Sequence, residues 1–336
     1  MSIFVSGREL SRRFYQEQVR PVLHIDFPGL PHSAALLGPG SEVLGFDDEM
    51  SKDHNWEPRV LLFLQDGDWA RYGEAVERSL TAKLPERFAG HPTQFSVSTL
   101  RAFLQEHLDL DIDSGIEARD WLTLPEQRLR MITAGAVYHD EVGLQALRDR
   151  LAYYPHDVWL YLLIAAWWRL HPEANLMGRA GFVGDELGSR VIASQLVHDL
   201  MHLCFLLEKQ YAPYAKWFGT AFSQLKGASS LAPVLQTVLN AGTWSERQDA
   251  LATAYQDVAA LHNTLGITPP VQIEVQHMWN RPFTVPWGDF PGILKTQIRD
   301  PAVLRIADQY LTGGVDQVRE ILWTPRHRRR LLGLFD

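Results

Sequence analysis

A chain of 336 residues, 46% hydrophobic and 21% charged, has the composition of an ordinary globular protein long enough for about two domains. Its net charge of −8 offers no general electrostatic footprint for nucleic acid, and the one dense basic cluster, Arg326–Arg330, reads as the last turn of a helix. Charges interrupt Met1–Leu10 before any long apolar stretch. The longest strongly apolar run, Val158–Trp168, is well short of the roughly 20 residues that cross a bilayer, so the expectation is a cytoplasmic protein with no membrane partner.

In chain order, Leu10, Phe14, Val19 and Val22 among charged residues predict an amphipathic helix over Gly7–Val22, ended by Pro21 and Pro28-Gly29. Strands are expected at Ala34–Leu37, Glu42–Gly45, Val60–Leu64 and Gln94–Ser98, with a helix over Trp69–Leu80. The acidic segment Asp109–Gly115 is the expected boundary, read as a solvated linker or helix start rather than a calcium loop. Beyond it the apolar spacing becomes helical, over Pro125–Ala136, Val142–Ala152, Val158–Leu170, Gly188–Gln210 and Ser245–Leu265. The fold class is therefore α+β, with a mixed N-terminal domain over residues 1–112 and a mainly helical one over 113–336. Cys204, the single cysteine, sits in the apolar run Leu203–Leu207, which excludes an intramolecular disulfide and predicts a buried, inert thiol.

The densest chemistry lies at Leu37-Gly38-Pro39-Gly40-Ser41-Glu42-Val43-Leu44-Gly45-Phe46, followed by Asp47, Asp48, Glu49, Ser51, Asp53 and His54. Glycine and serine let backbone N–H groups approach phosphate oxygens, and carboxylates at i and i+2 on a strand can share a magnesium ion with them. The plain alternative is an acidic loop between two core strands, in which Gly40 and Gly45 serve backbone geometry alone.

The Gly40-Ser41 turn, Gly45 and the acidic segment reaching Asp53 resemble the opening of the nucleotidyltransferase superfamily. The longer string Gly40–Asp47, Ser51, Asp53-His54, Trp56 and Pro58-Arg59 resembles the bacterial family called domain of unknown function 4037. So do Ala118–Leu122, Leu124–Leu129, Thr133–Gly135, Gly184–Ser189, Tyr211–Tyr214 and Lys216-Trp217. That resemblance implies a nucleotidyltransferase-like N-terminal domain and Mg²⁺-dependent transfer of a nucleotidyl group from a nucleoside triphosphate to a hydroxyl of a small-molecule acceptor. Gly40 and Ser41 would hold phosphate, and Asp47, Glu49 and Asp53 the metal. His54 would serve as ligand, phosphate contact or base. Two departures favour an alternative, a non-catalytic nucleotide-binding or protein-interaction member of the same fold: Asn55 stands where a second metal carboxylate would follow Asp53, and Gln94–Thr99 supplies no third.

In the helical part, the architecture resembles the aminoglycoside-type nucleotidyltransferases, and that resemblance implies Asp185 or Glu186 as the base toward the acceptor, against the reading of a helix-capping acid. Tyr214 and Lys216 are candidates to stack a base and steady a phosphate. His198 and His202 share a helix face at i, i+4, but Asp199 replaces the glutamate of the zinc-peptidase pattern, so ordinary helix positions are expected. Trp159, Trp167 and Trp168 are expected in the core, and Arg281–Phe283 with Trp287 as a loop that covers the site.

Overall fold

The apolar runs read as strands around residues 35, 62 and 96 pair into one mixed sheet. The computed structural model describes residues 4–53, 56–309, 311, 313–317 and 332–334 and is α+β. It divides into two units, one built mainly from Met1–Ile116 and Leu124–Ala152, the other mainly from Glu117–Thr123 and Tyr153–Glu320. Asp109–Gly115, read from sequence as a solvated linker, lies in unit 1 and is tied down there. Asp111 and Asp113 accept from Arg101 at 2.8 and 2.6 Å, and Arg150 donates to the Ile112 and Ser114 carbonyls.

Unit 1 opens with helix α1 (Gly7–Phe14), whose first turn is capped by the Ser6 hydroxyl. Pro21 does not end the helix, contrary to expectation. The chain widens into a π-turn (Tyr15–Val19) and continues as α2 (Arg20–Asp26), so the irregular turn absorbs the hydrogen bond that proline cannot donate. There follow β1 (Ser33–Leu36), α3 (Ser41–Leu44), β2 (Arg59–Leu64), α4 (Asp66–Lys83), a small hairpin of β3 (Arg87–Phe88) and β4 (His91–Pro92), β5 (Gln94–Thr99) and α5 (Leu100–Leu108). After α6 (Ala118–Thr123), which belongs to unit 2, come α7 (Glu126–Thr133), β6 (Ala136–Asp140) and α8 (Leu144–Arg150).

The sheet order is β5-β2-β1-β6, with β1 antiparallel to both neighbours and β2 parallel to β5. Val60, Leu62 and Leu64 join Leu10, Phe14, Leu23, Val76 and Leu80 in one core against α1, α2 and α4. Phe63 points the other way and meets Phe103 of α5, ring centroids 5.2 Å apart, as the two-residue period of a strand requires.

Two elements depart from the sequence reading. Glu42–Gly45 is not a strand, because Gly40 (φ +136°) and Gly45 (φ +77°) enclose a single helical turn that Gly45 closes through its N–H on the Glu42 and Ser41 carbonyls. The stretch between the two expected helices at Pro125–Ala136 and Val142–Ala152 contains β6, an edge strand. Its entry requires glycine: at Gly135 (φ +77°) a Cβ would strike the Leu36 carbonyl oxygen.

Unit 2 is helical: α9 (His156–Phe182), α10 (Glu186–Leu207), α11 (Ala215–Phe222), α12 (Ala228–Asn240), α13 (Trp244–Thr264), a hairpin of β7 (Glu274–His277) and β8 (Thr284–Trp287), α14 (Phe290–Lys295) and α15 (Pro301–Gln309). By length and composition α10 passes as a membrane span, and Leu196, Leu200, Leu203 and Phe205 on it are buried within unit 2. Trp159 and Trp167 are core residues whose indole N–H groups reach the Leu206 carbonyl (2.7 Å) and His262 Nδ1 (3.2 Å). Trp168 is 48% exposed, contrary to expectation, since neighbours on a helix diverge by about 100°. Burial pushes the Cys204 thiol up to about 12, which makes it inert as expected.

Candidate functional site

Between the adjacent antiparallel strands β1 and β2 the chain makes a long excursion, residues 37–58, where a tight hairpin of a few residues would join them. This excursion carries the glycine turn and the acidic segment. Leaving β1, Gly38 (φ +94°) and Gly40 (φ +136°) flank Pro39 in a backbone that other residues rarely adopt. The turn closes over the side chain of Glu42, whose carboxylate a Cβ on Gly40 would overlap.

Glu42 is the unexpected feature of this region, being only 1% exposed. Arg59 Nη2 lies 2.8 Å from its Oε1, yet neither carboxylate oxygen accepts a well-directed hydrogen bond, and Arg59 also donates to the Pro39 carbonyl. Burial pushes the Glu42 carboxyl up to about 7, an upward effect that the positive charge of Arg59 offsets only in part. Arg8 binds the C-terminal end of α3, Nε to the Glu42 carbonyl (2.9 Å) and Nη2 to that of Val43 (2.5 Å), where a cation complements the helix dipole. Sequence reading passed over Glu42 because nothing in its neighbours foretells burial of a charge. The signal was indirect: a glutamate two residues after a glycine and an arginine at the start of the next strand.

The acidic residues are largely committed to the loop's own structure. Asp47 Oδ2 accepts from the Gly7 N–H (2.7 Å) and the Trp56 indole (2.8 Å), tying the start of α1 to the loop. Asp48 Oδ1 accepts from the Met50 and Ser51 N–H groups, both at 3.0 Å, and so caps the 3₁₀ turn Glu49–Asp53. Glu49 pairs with Lys52 at 2.6 Å, whose ammonium stands over the rings of Phe4 and Trp56. Asp53 ends the 3₁₀ turn, and His54 lies outside the described residues. An all-oxygen donor set suits Mg²⁺, and among the described residues the hydrogen bonds to Asp47 fall on Oδ2. Among the described residues, Asp47 and Glu49 do not gather with a third metal-ligating side chain.

The candidates in unit 2 have local partners. Asp185 caps α10, accepting from the Gly188 N–H at 2.7 Å. Glu186 accepts from the Trp244 N–H at the start of α13 (3.1 Å) and pairs with Arg247 at 3.3 Å. Tyr214 is the N-cap of α11, and Lys216 Nζ stands 4.8 Å from the ring of Trp217. His198 stacks on Phe218, centroids 4.7 Å apart. Arg281–Phe283 lies in the β7–β8 hairpin, whose Pro282 carbonyl and Thr284 N–H are held by Gln248 of α13 (3.1 and 3.0 Å).

One constellation escaped the sequence reading altogether. His32, His139 and Glu141 bring one ligand atom each to within 4.8 Å of one another at the end of β1 and β6. Residues 109 positions apart become neighbours only through strand pairing, and β6 was not foreseen.

Residues 121–218 match the family described as domain of unknown function 4037, in keeping with the resemblance read from sequence. The matched segment includes Asp185, Glu186, Tyr214 and Lys216. A crystal structure of a nucleotidyltransferase-like protein from Exiguobacterium sibiricum 255-15 is similar at 10% identity, over 83% of this chain and 97% of that one, with a TM-score of 0.34. No curated protein matches the chain.

Proposed function

We propose that unit 1 binds a nucleoside triphosphate at the Gly38–Gly45 turn and the acidic segment that follows, and transfers its nucleotidyl group to a hydroxyl of a small molecule. The observation that carries this reading is the excursion 37–58, which sets a positive-φ glycine turn, a hydroxyl at Ser41 and a run of carboxylates between two paired strands. Long connections of this kind in a compact unit are commonly functional. Ser41 and the backbone of the turn would contact phosphate. Asp53, with Asp47 Oδ1 or Glu49, would hold Mg²⁺, which when bound neutralises phosphate charge. The acceptor oxygen would attack the α-phosphorus, pyrophosphate would leave with the electrons of the broken P–O bond, and the hydroxyl proton would pass to a base.

A second reading, nucleotide binding without turnover, is favoured by a specific observation: Asp47 already accepts two hydrogen bonds and Glu49 is paired with Lys52, while Asn55 stands in place of a carboxylate. Thermal stability of the purified protein with each nucleoside triphosphate, with and without Mg²⁺, decides between them together with a transfer assay. A ligand at a hundred times its dissociation constant adds about 2.7 kcal/mol. Metal-dependent stabilisation by one nucleotide, with Asp53→Asn abolishing transfer but leaving the unliganded melting temperature in place, is the expected outcome. Tight binding that ignores Mg²⁺ and yields no pyrophosphate establishes the second reading, and no stabilisation by any nucleotide removes both.

A further inference from the structure

We propose that His32, His139 and Glu141 of unit 1 form a binding site for a zinc ion, with three protein ligands and one position open to water or an oxygen of a bound molecule. The three residues converge because of two local irregularities. Antiparallel pairing of β1 with β6 sets Ser33 opposite Asp140, so His32 and Glu141 meet just beyond: the Glu141 N–H donates to the His32 carbonyl at 3.1 Å. The register then slips between Ala34 and Ala35, which face His139 and Val137, leaving Tyr138 as the extra residue of a bulge. In a regular strand Tyr138 and His139 would point to opposite faces. At the bulge both lie against one ring, that of Tyr15, at centroid distances of 6.3 Å each.

The ligand geometry suits a small tetrahedral cation. Metal–ligand bonds of about 2.05 Å place tetrahedral donors about 3.3 Å from one another. His139 Nε2 lies 3.0 Å and His32 Nδ1 4.0 Å from Glu141 Oε2, values that bracket this spacing. Two imidazoles with one carboxylate favour zinc over the oxygen-seeking Mg²⁺ or Ca²⁺. The rest of the site is built as metal sites are, with a partner behind the ligand: the Tyr15 hydroxyl stands 2.9 Å from His32 Nε2. Tyr15 belongs to the π-turn, an irregularity that otherwise has only Pro21 to explain it. Nδ1 also lies 3.2 Å from the Leu30 carbonyl. Binding requires the proton to sit on Nε2 instead, and the hydroxyl of Tyr15 accepts from that tautomer as readily as it donates to the other.

The test uses the full chain without a histidine tag, stripped with a chelator and titrated with Zn²⁺ against a chromophoric competitor, then with Co²⁺ as a spectroscopic probe. One zinc per chain is expected, with the intense visible bands of low-coordinate Co²⁺. Affinity should fall at least 100-fold in His139→Ala and in Glu141→Gln, and roughly 10-fold in Tyr15→Phe. Glu141 is half exposed, so the glutamine variant keeps the test valid if His139→Ala fails to fold. The proposal is overturned if the wild type takes up no more zinc than Glu141→Gln, or if bound Co²⁺ shows only the weak spectrum of an octahedral ion.

Discussion

Each unit holds an arginine–glutamate pair, differently buried and differently partnered. In unit 2 it is the cation that is inside: Arg247 is 1% exposed, and its guanidinium donates to Ser189 Oγ (2.6 Å), the Ala241 carbonyl (3.2 Å) and Glu186 (3.3 Å), whose side chain is 41% exposed. In unit 1 both members are largely inside: Glu42 is buried under the glycine turn and the Arg59 side chain is 11% exposed, with Arg59 near one carboxylate oxygen and, among the described residues, no directed donor to either. A buried charge surrounded by partners is a strut between helices. One left short of partners raises its own pKa and marks a place where another group can be accommodated. The two pairs thus separate a structural use of charge from a candidate functional one.

Three substitutions probe that contrast. The largest effect is expected from Arg247→Ala, which removes a fully buried side chain and strands Ser189 and the Ala241 carbonyl; a loss of about 4 kcal/mol in urea unfolding is expected. A loss below about 1 kcal/mol would mean that the arginine is no strut.

Glu42→Gln comes next and works through pH. The Glu42 pKa is raised from 4.5 to about 7, so as pH rises between those values the unfolded chain loses its proton while the native state keeps it. Stability therefore falls across that window and is level above it. The isosteric amide removes this titration, so the wild type should lose about 2 to 3 kcal/mol more than the variant between pH 5 and pH 8. Parallel curves for the two proteins would show that Glu42 is well partnered after all.

The smallest effect is expected from Glu186→Gln. Its exposed carboxylate contributes little to a pair whose arginine has other acceptors, so the change should stay within about 1 kcal/mol. If transfer activity is found and this variant loses it with stability intact, Glu186 is the base rather than a partner of Arg247.

What could be read in advance follows from the range of the interactions involved. The strands at residues 34–36, 60–64 and 94–98, the helix at 69–80 and the long C-terminal helices were legible because binary patterning is local, and so was the inert burial of Cys204. Asp185 could be named equally as base or helix cap, and the sequence allowed both. The Glu42–Gly45 segment is a helical turn rather than the expected strand because two glycine dihedrals, not its apolar residues, set its form.

By itself, then, the sequence determined the α+β class, the order of most elements and the place where chemistry is concentrated, since composition, periodicity and turn residues act over a few positions at a time. Only the tertiary structure decided that Glu42 is entombed beside Arg59, that Asp47 holds the start of the first helix, and that Tyr15, His32, His139 and Glu141 meet. Those contacts join residues more than a hundred positions apart through strand register, a bulge and a widened helical turn. A one-residue change of register would turn each such side chain to the other face, and no local pattern encodes it.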